Sequence, residues 1–142
     1  MPRDINLKLA DSGTPITSTT ALTAVDTEGG FYALVVMDMG VITDSDETFN
    51  ITVEASGDNG SNYFHIGEFP QIANGDESTK ISRPVYVPKP DSGQTKTKVR
   101  LKARAVGGTT PSLPVDAWLE PMVSLSPPAI DEVLGQGVAT LT

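Results

Sequence analysis

Lys96-Thr97-Lys98-Val99-Arg100-Leu101-Lys102-Ala103-Arg104-Ala105 carries a cation at every second position and a small or apolar residue at nearly every position between. An extended backbone sends successive side chains to opposite faces, so this stretch is predicted as a strand with all five cations on one side. A helix, with its 3.6-residue period, would scatter them around its circumference. The run ends at Val106-Gly107-Gly108-Thr109-Thr110-Pro111, and a second alternating segment follows from Leu113 to Leu119, with Trp118 near its end. The expectation is a hairpin, or two adjacent strands, forming the spine of an all-β fold.

The flanking sequence supports that class. Thr48 to Ser56 alternates Phe49, Ile51, Val53 and Ala55 with Asn50, Thr52 and Glu54, the pattern of a half-buried strand. Gly57-Asp58-Asn59-Gly60 reads as a tight turn, because Asn-Gly readily takes positive φ. Tyr63 to Phe69 is the next strand, stopped by Pro70, and Asn74-Gly75 marks another turn. Thr79 to Val87 is a strand that Pro84 and Pro88 confine to an edge or to short pieces. Phe31 to Met37 has no polar residue, so it is either central in a sandwich or covered on its outer face by a partner. Ile5 to Leu9 is a short strand, and the Ser/Thr-rich stretch Thr14 to Thr23 is a loosely packed edge or an arm. Seven or eight short strands joined by Gly, Pro and Asn turns predict an antiparallel β-sandwich, jelly-roll-like, over residues 1–123. Residues 124–142, with Pro127-Pro128 and Ile130-Asp131-Glu132-Val133-Leu134, are expected to form a tail outside it.

The totals bound the function. At 142 residues one domain with a single core is expected, and a 38% hydrophobic, 20% charged composition is that of a folded chain. A formal charge of -8 argues against a general nucleic-acid binder, whose affinity rests on cations. The absence of cysteine removes disulfides, thiolate metal sites and cysteine nucleophiles. No run of about 18 apolar residues and no leader pattern occurs, so no membrane partner is expected and synthesis is placed in a cytoplasm.

Catalytic and metal chemistry finds little to work with. His65 is the one histidine, and no Gly-x-Ser-x-Gly elbow accompanies it, so a strand-face histidine is expected rather than a general base. Asp44-Ser45-Asp46-Glu47 and Asp58-Asn59-Gly60 offer oxygen ligands, but neither follows the twelve-residue calcium loop, and acidic turns arise for local hydrogen-bonding reasons. Asn50-Ile51-Thr52 matches a glycosylation sequon by chance within a strand. No catalytic residue, cofactor or metal is assigned, and the chain is read as noncatalytic.

Two surfaces remain as partner-binding candidates. Cations two apart on a strand sit about 7 Å from each other, so each neighbouring pair repels by about 0.6 kcal/mol in water before salt screening. An acidic partner would relieve Lys96, Lys98, Arg100, Lys102 and Arg104. The plainer alternative is a solvated strand whose lysines discourage edge pairing and which pairs with Asp116 and Glu120 across the hairpin. If Val115, Ala117 and Leu119 face the core, Trp118 points outward as an interface anchor; with the opposite parity it is core. Phe31, Tyr32, Leu34 and Val36 are the candidate contacts with a second copy.

These patterns resemble the capsid cement, or decoration, proteins of short-tailed phages, of the Bordetella-phage type. The likeness spans most of residues 4 to 121. It rests on Ile5-Asn6-Leu7-Lys8-Leu9-Ala10-Asp11 with Ile16-Thr17-Ser18-Thr19-Thr20, on Thr48 to Ser56, and on Val99-Arg100-Leu101 through Gly108-Thr109-Thr110-Pro111-Ser112 to Ala117-Trp118-Leu119. It implies a jelly-roll-like sandwich forming a homo-oligomer, a dimer ahead of a trimer; the extended N- and C-terminal segments are read from this chain itself. It implies a place on the outside of the virion head, bridging subunits of the major capsid protein. The tail beyond Val123 is longer than that pattern. A carbohydrate- or receptor-binding module of a phage fibre is the alternative, since jelly rolls also host lectins.

Overall fold

The computed structural model describes residues 7–42, 46–73, 80–106 and 111–122, and is built of strands: β1 Lys8–Ala10, β2 Thr20–Ala21, β3 Val25–Thr27, β4 Phe31–Met39, β5 Thr48–Ser56, β6 Phe64–Glu68, β7 Ile72–Ala73, β8 Lys80–Val87, β9 Thr97–Val106 and β10 Val115–Pro121. All pairings are antiparallel. One sheet has the order β1-β10-β4-β8; the other runs β2-β9-β5-β6, with β3 also lying along β9 and β7 along β5. From β3 to β5, and again from β7 to β10, the chain changes sheet at each connection, the interleaved order of a jelly-roll-like sandwich.

The core explains why these residues make these strands. Phe49, Ile51, Val53 and Ala55 of β5 and Val99, Leu101 and Ala103 of β9 are all 0–1% exposed, and they face Ala33, Val35, Met37, Val115, Ala117 and Leu119 from the other sheet. The period-two alternation of each strand is the period at which its side chains enter this layer. Burying a side chain of this size contributes about 1.5–3 kcal/mol, which fixes register, because a one-residue slip would turn a whole strand's apolar set to solvent.

Several sequence expectations hold in detail. β5 spans Thr48–Ser56 as read from alternation. β8 is an edge strand, with Pro84 inside it, paired on one side to β4. The Asn59-Gly60 turn is present, with φ of 62° and 89°. Phe31–Met39 is central, between β10 and β8. The Ser/Thr-rich stretch supplies the edge strand β2, and Ile16 within it is buried and bridges to Leu113.

The hairpin of β9 with the following strand is corrected. β9 lies between β2 and β5 in one sheet, whereas β10 lies between β1 and β4 in the other. Both segments alternate because both face the same core, but they face it from opposite sides. Consequently Asp116 and Glu120 do not stand across from the cationic stripe. Ile5 and Asn6, Asp44-Ser45, Asn74-Gly75, the Gly107-Gly108 turn and the 124–142 tail lie outside the described residues.

β6 and β8 belong to different sheets and meet across the core at Gly67 and Val85. A Cβ added to Gly67 would stand 2.7 Å from Val85 Cγ1. Val85 is buried and has little room to retreat. Gly67→Ala should therefore lower stability by about 1–3 kcal/mol through overpacking. In urea titrations the double variant with Val85→Ala should be more stable than the two single losses added together; strict additivity would rule out the clash.

Candidate functional site

Inward placement of Val99, Leu101 and Ala103 leaves Lys98, Arg100, Lys102 and Arg104 on the outer face of the six-stranded sheet, with Lys96 exposed just before β9 begins. The strand is central rather than an edge, so its cations do not act as an edge guard. Carboxylates from neighbouring strands divide the stripe. Lys98 Nζ donates to Asp26 Oδ1 at 2.8 Å, its register partner on β3, and that hydrogen bond holds the ammonium above the ordinary lysine value. Arg100 Nε donates to Glu54 Oε1 at 2.9 Å, its register partner on β5, and its guanidinium lies 3.5 Å from the Tyr63 ring centroid. Lys102 and Arg104 stand opposite Thr52 and Asn50, are exposed, and form no ion pair among the described residues. The stripe thus has a compensated half and an open half.

Tyr63 is positioned by the turn before it. Ser56 Oγ donates to Asp58 Oδ1 at 2.6 Å, and Asn62 donates to Asp58 through its side-chain amide and its backbone N–H, each at 2.8 Å. Those bonds, the serine's first, hold the Asp58 carboxyl down from 3.8 to about 2. Gly60 N–H donates to Ser56 Oγ and closes the same loop.

Asp116 pairs with Lys8 at 3.7 Å on the opposite sheet, beside the Lys8–Asp11 pair at 3.3 Å. Trp118 does point away from the core, as the inward Val115, Ala117 and Leu119 require, yet it is only 7% exposed. Its Nε1 donates to Glu120 Oε2 at 2.7 Å, and Lys80 Nζ lies 5.4 Å from its ring centroid. Of the candidate contacts with a second copy, Tyr32, Leu34 and Val36 share Trp118's outer face, whereas Phe31 turns inward and packs against the core. Tyr32 and Tyr86 meet edge-on with centroids 4.9 Å apart.

His65 is exposed on β6, 3.4 Å from Glu68 Oε1. Among the described residues no three His, Asp or Glu side chains cluster to hold a metal ion. Two features escaped the sequence. Glu47 sits in an acidic run yet is fully buried; its Oε1 accepts from Ser112 N–H at 3.3 Å, and its Oε2 has no hydrogen-bond partner among the described residues. A groove lined by Lys8, Leu9, Ala10, Asp11, Thr14, Leu22 and Thr23 opens beside β1. No pattern of spacing announces either, because both depend on segments distant in sequence. No helix among the described residues is long and apolar enough to cross a membrane.

No known protein family matches the chain, and no curated protein matches it either.

Two outcomes follow from this geometry. Glu54→Ala strands a half-buried guanidinium and should cost about 1–2 kcal/mol. A double-mutant cycle with Arg100→Ala should show a coupling that shrinks as salt rises, and a zero coupling at low salt would show that the pair is ornamental. Because the Asp58 pKa is depressed, its contribution to stability is complete above the unfolded value near 3.8 and is lost as pH falls through about 2. The Asn62 amide resonance should titrate with a midpoint near 2, and Asp58→Ala should abolish that step.

Proposed function

We propose that this protein is a noncatalytic capsid cement, or decoration, protein. It binds the outside of an icosahedral phage head as a homo-oligomer and bridges subunits of the major capsid protein. The observation that carries this reading is the division of the β9 stripe. Asp26 and Glu54 hold Lys98 and Arg100 inside the sheet's own charge network, while Lys102 and Arg104 stand open beside them on the same central strand. Mutual repulsion of these two cations, about 0.6 kcal/mol in water, is relieved by an acidic patch on a partner. Complementary charge of this kind orients docking more than it tightens it. The opposite face, around Tyr32, Leu34 and Val36, offers the apolar contact between copies of the homo-oligomer. Weak contacts repeated by the symmetry of a shell add up to firm attachment, and the resemblance in residues 4 to 121 points to the same role.

The Tyr32–Tyr86 pair is the observation that favours the second reading, a carbohydrate- or receptor-binding module, because exposed aromatic rings stack on sugars. Their rings are inclined at 60°, so they offer two separate faces and not one flat platform.

Lys102→Glu with Arg104→Glu should reduce co-sedimentation with purified empty heads at least tenfold while leaving the unfolding midpoint nearly unchanged. Wild-type binding should weaken as salt rises. Undiminished binding by the charge-reversed variant would remove the stripe from the interface. Binding to a glycan array, with none to heads, would establish the second reading.

A further inference from the structure

The turn between β5 and β6 joins a chemically reactive dipeptide to a hydrogen-bond clamp. Asn59 is exposed and takes φ of 62°, in the left-handed region, and Gly60 follows at 89°. Gly60 N–H donates to Ser56 Oγ at 2.9 Å, and the buried serine donates in turn to Asp58 Oδ1 at 2.6 Å. The same carboxylate accepts from the Asn62 backbone N–H and from its side-chain amide, each at 2.8 Å. These bonds, the serine's first, hold the Asp58 carboxyl down to about 2, so the clamp keeps its charge throughout the neutral and alkaline range.

An asparagine followed by glycine is open to one covalent reaction with its own backbone. The Gly60 nitrogen gives its proton to hydroxide and attacks Asn59 Cγ. The new N–Cγ bond closes a succinimide ring, the Cγ–Nδ2 bond breaks, and ammonia leaves with a proton taken from water. Water then adds to either ring carbonyl and opens it to aspartate or to isoaspartate, in which the main chain runs through the former side chain. Attack needs the nitrogen free and turned to within about 3–3.5 Å of Cγ. The clamp opposes both requirements. Ser56 Oγ engages the N–H that must be removed and fixes the plane of its peptide, and breaking that bond costs a buried hydroxyl its donor. Asp58 does not turn the serine into a base, because a carboxylic acid that ionises near 2 leaves a conjugate base too weak to draw an amide proton through it.

We propose that Asn59 is a latent modification site: the Ser56–Asp58 clamp keeps it as asparagine while the turn is closed, and each local opening exposes it to conversion into aspartate or isoaspartate. Water already reaches the exposed side chain, so the clamp, and not burial, sets the rate. The inference stands apart from the capsid reading, but its product bears on the cationic stripe. A Cβ at Gly60 would lie 3.4 Å from Lys98 Cδ and 3.5 Å from Tyr63 Oη, so the rebuilt backbone abuts both side chains. Isoaspartate lengthens the main chain by a methylene just before Tyr63 and loosens the seat of its ring on Arg100. Either product adds a carboxylate to the half of the stripe that Asp26 and Glu54 already compensate.

The test follows Asn59 by peptide mass spectrometry in mildly alkaline buffer, where aspartate and isoaspartate are heavier than asparagine by the difference between OH and NH2. Conversion in the folded protein should be slower than in the urea-unfolded chain by about tenfold or more, the factor set by the opening equilibrium. Folded Ser56→Ala and Asp58→Ala should each convert several-fold faster than wild type. Val85→Ala, which loosens the core away from the turn, should keep the wild-type rate. Equal rates in folded and unfolded wild type overturn the proposal, as do clamp variants no faster than wild type. Acceleration by Val85→Ala as large as by Ser56→Ala assigns the protection to global folding and overturns it too. Should the clamp variants fail to fold, hydrogen exchange in wild type decides: the Gly60 amide should be protected by about tenfold or more, and exchange at the unfolded rate removes the clamp.

Discussion

Everything in this molecule depends on one apolar layer, closed from both sides by strands whose side chains alternate with a period of two. Phe49, Ile51 and Val53 from β5 and Val99, Leu101 and Ala103 from β9 form one wall; Val35, Met37, Val115, Ala117 and Leu119 form the other. The layer decides which side chains are available for function. Once the even-numbered partners of Val99 and Leu101 are turned away from it, four cations share a surface whether or not that surface is useful. The same constraint turns Tyr32, Leu34, Val36 and Trp118 outward on the far sheet. Both candidate surfaces are thus by-products of burial, and their chemistry differs because the outward residues differ.

Alternation was legible because it is local. β5 needed nine residues of sequence, and Pro84 was enough to place β8 at an edge, since a proline withholds a ladder hydrogen bond. Partner choice is not local. β9 and β10 follow one another in sequence, alternate in phase and are separated by a Gly-Gly pair, which are the signs of a hairpin. They nevertheless enter opposite sheets, because β10 completes a sheet whose other members, β4 and β1, lie far back in the chain. β3 and β7 were missed for another reason. With three and two residues they have no periodicity to read, and they exist only because β9 and β5 offer them a ladder.

The electrostatics divide along the same line. Five aligned cations were visible in the sequence, and so was their mutual repulsion. Their compensation was not, because Asp26 and Glu54 reach the stripe only through the register of β3 and β5 with β9. In sequence Glu54 looked like one polar residue among the outward set of its strand. In the fold it is the carboxylate that, with the Tyr63 ring, fixes Arg100. The cost of the pattern is therefore concentrated at Lys102 and Arg104, and the sheet itself marks where external charge is most effective.

The two outer faces also differ in what a partner gains from them. On the β9 side, contacts are charged and solvent-exposed; they are worth little each, and salt screens them. On the β4 side, Tyr32 and Tyr86 offer apolar area that remains in water until something covers it, at about 25 cal/mol for each Å² removed. A sandwich with both kinds of face can assign selection of its docking place to one and adhesion to the other. That separation is physically economical, because charge reversal on β9 and occlusion of the β4 face act on different sheets that share only the buried layer between them, and neither requires the core to move.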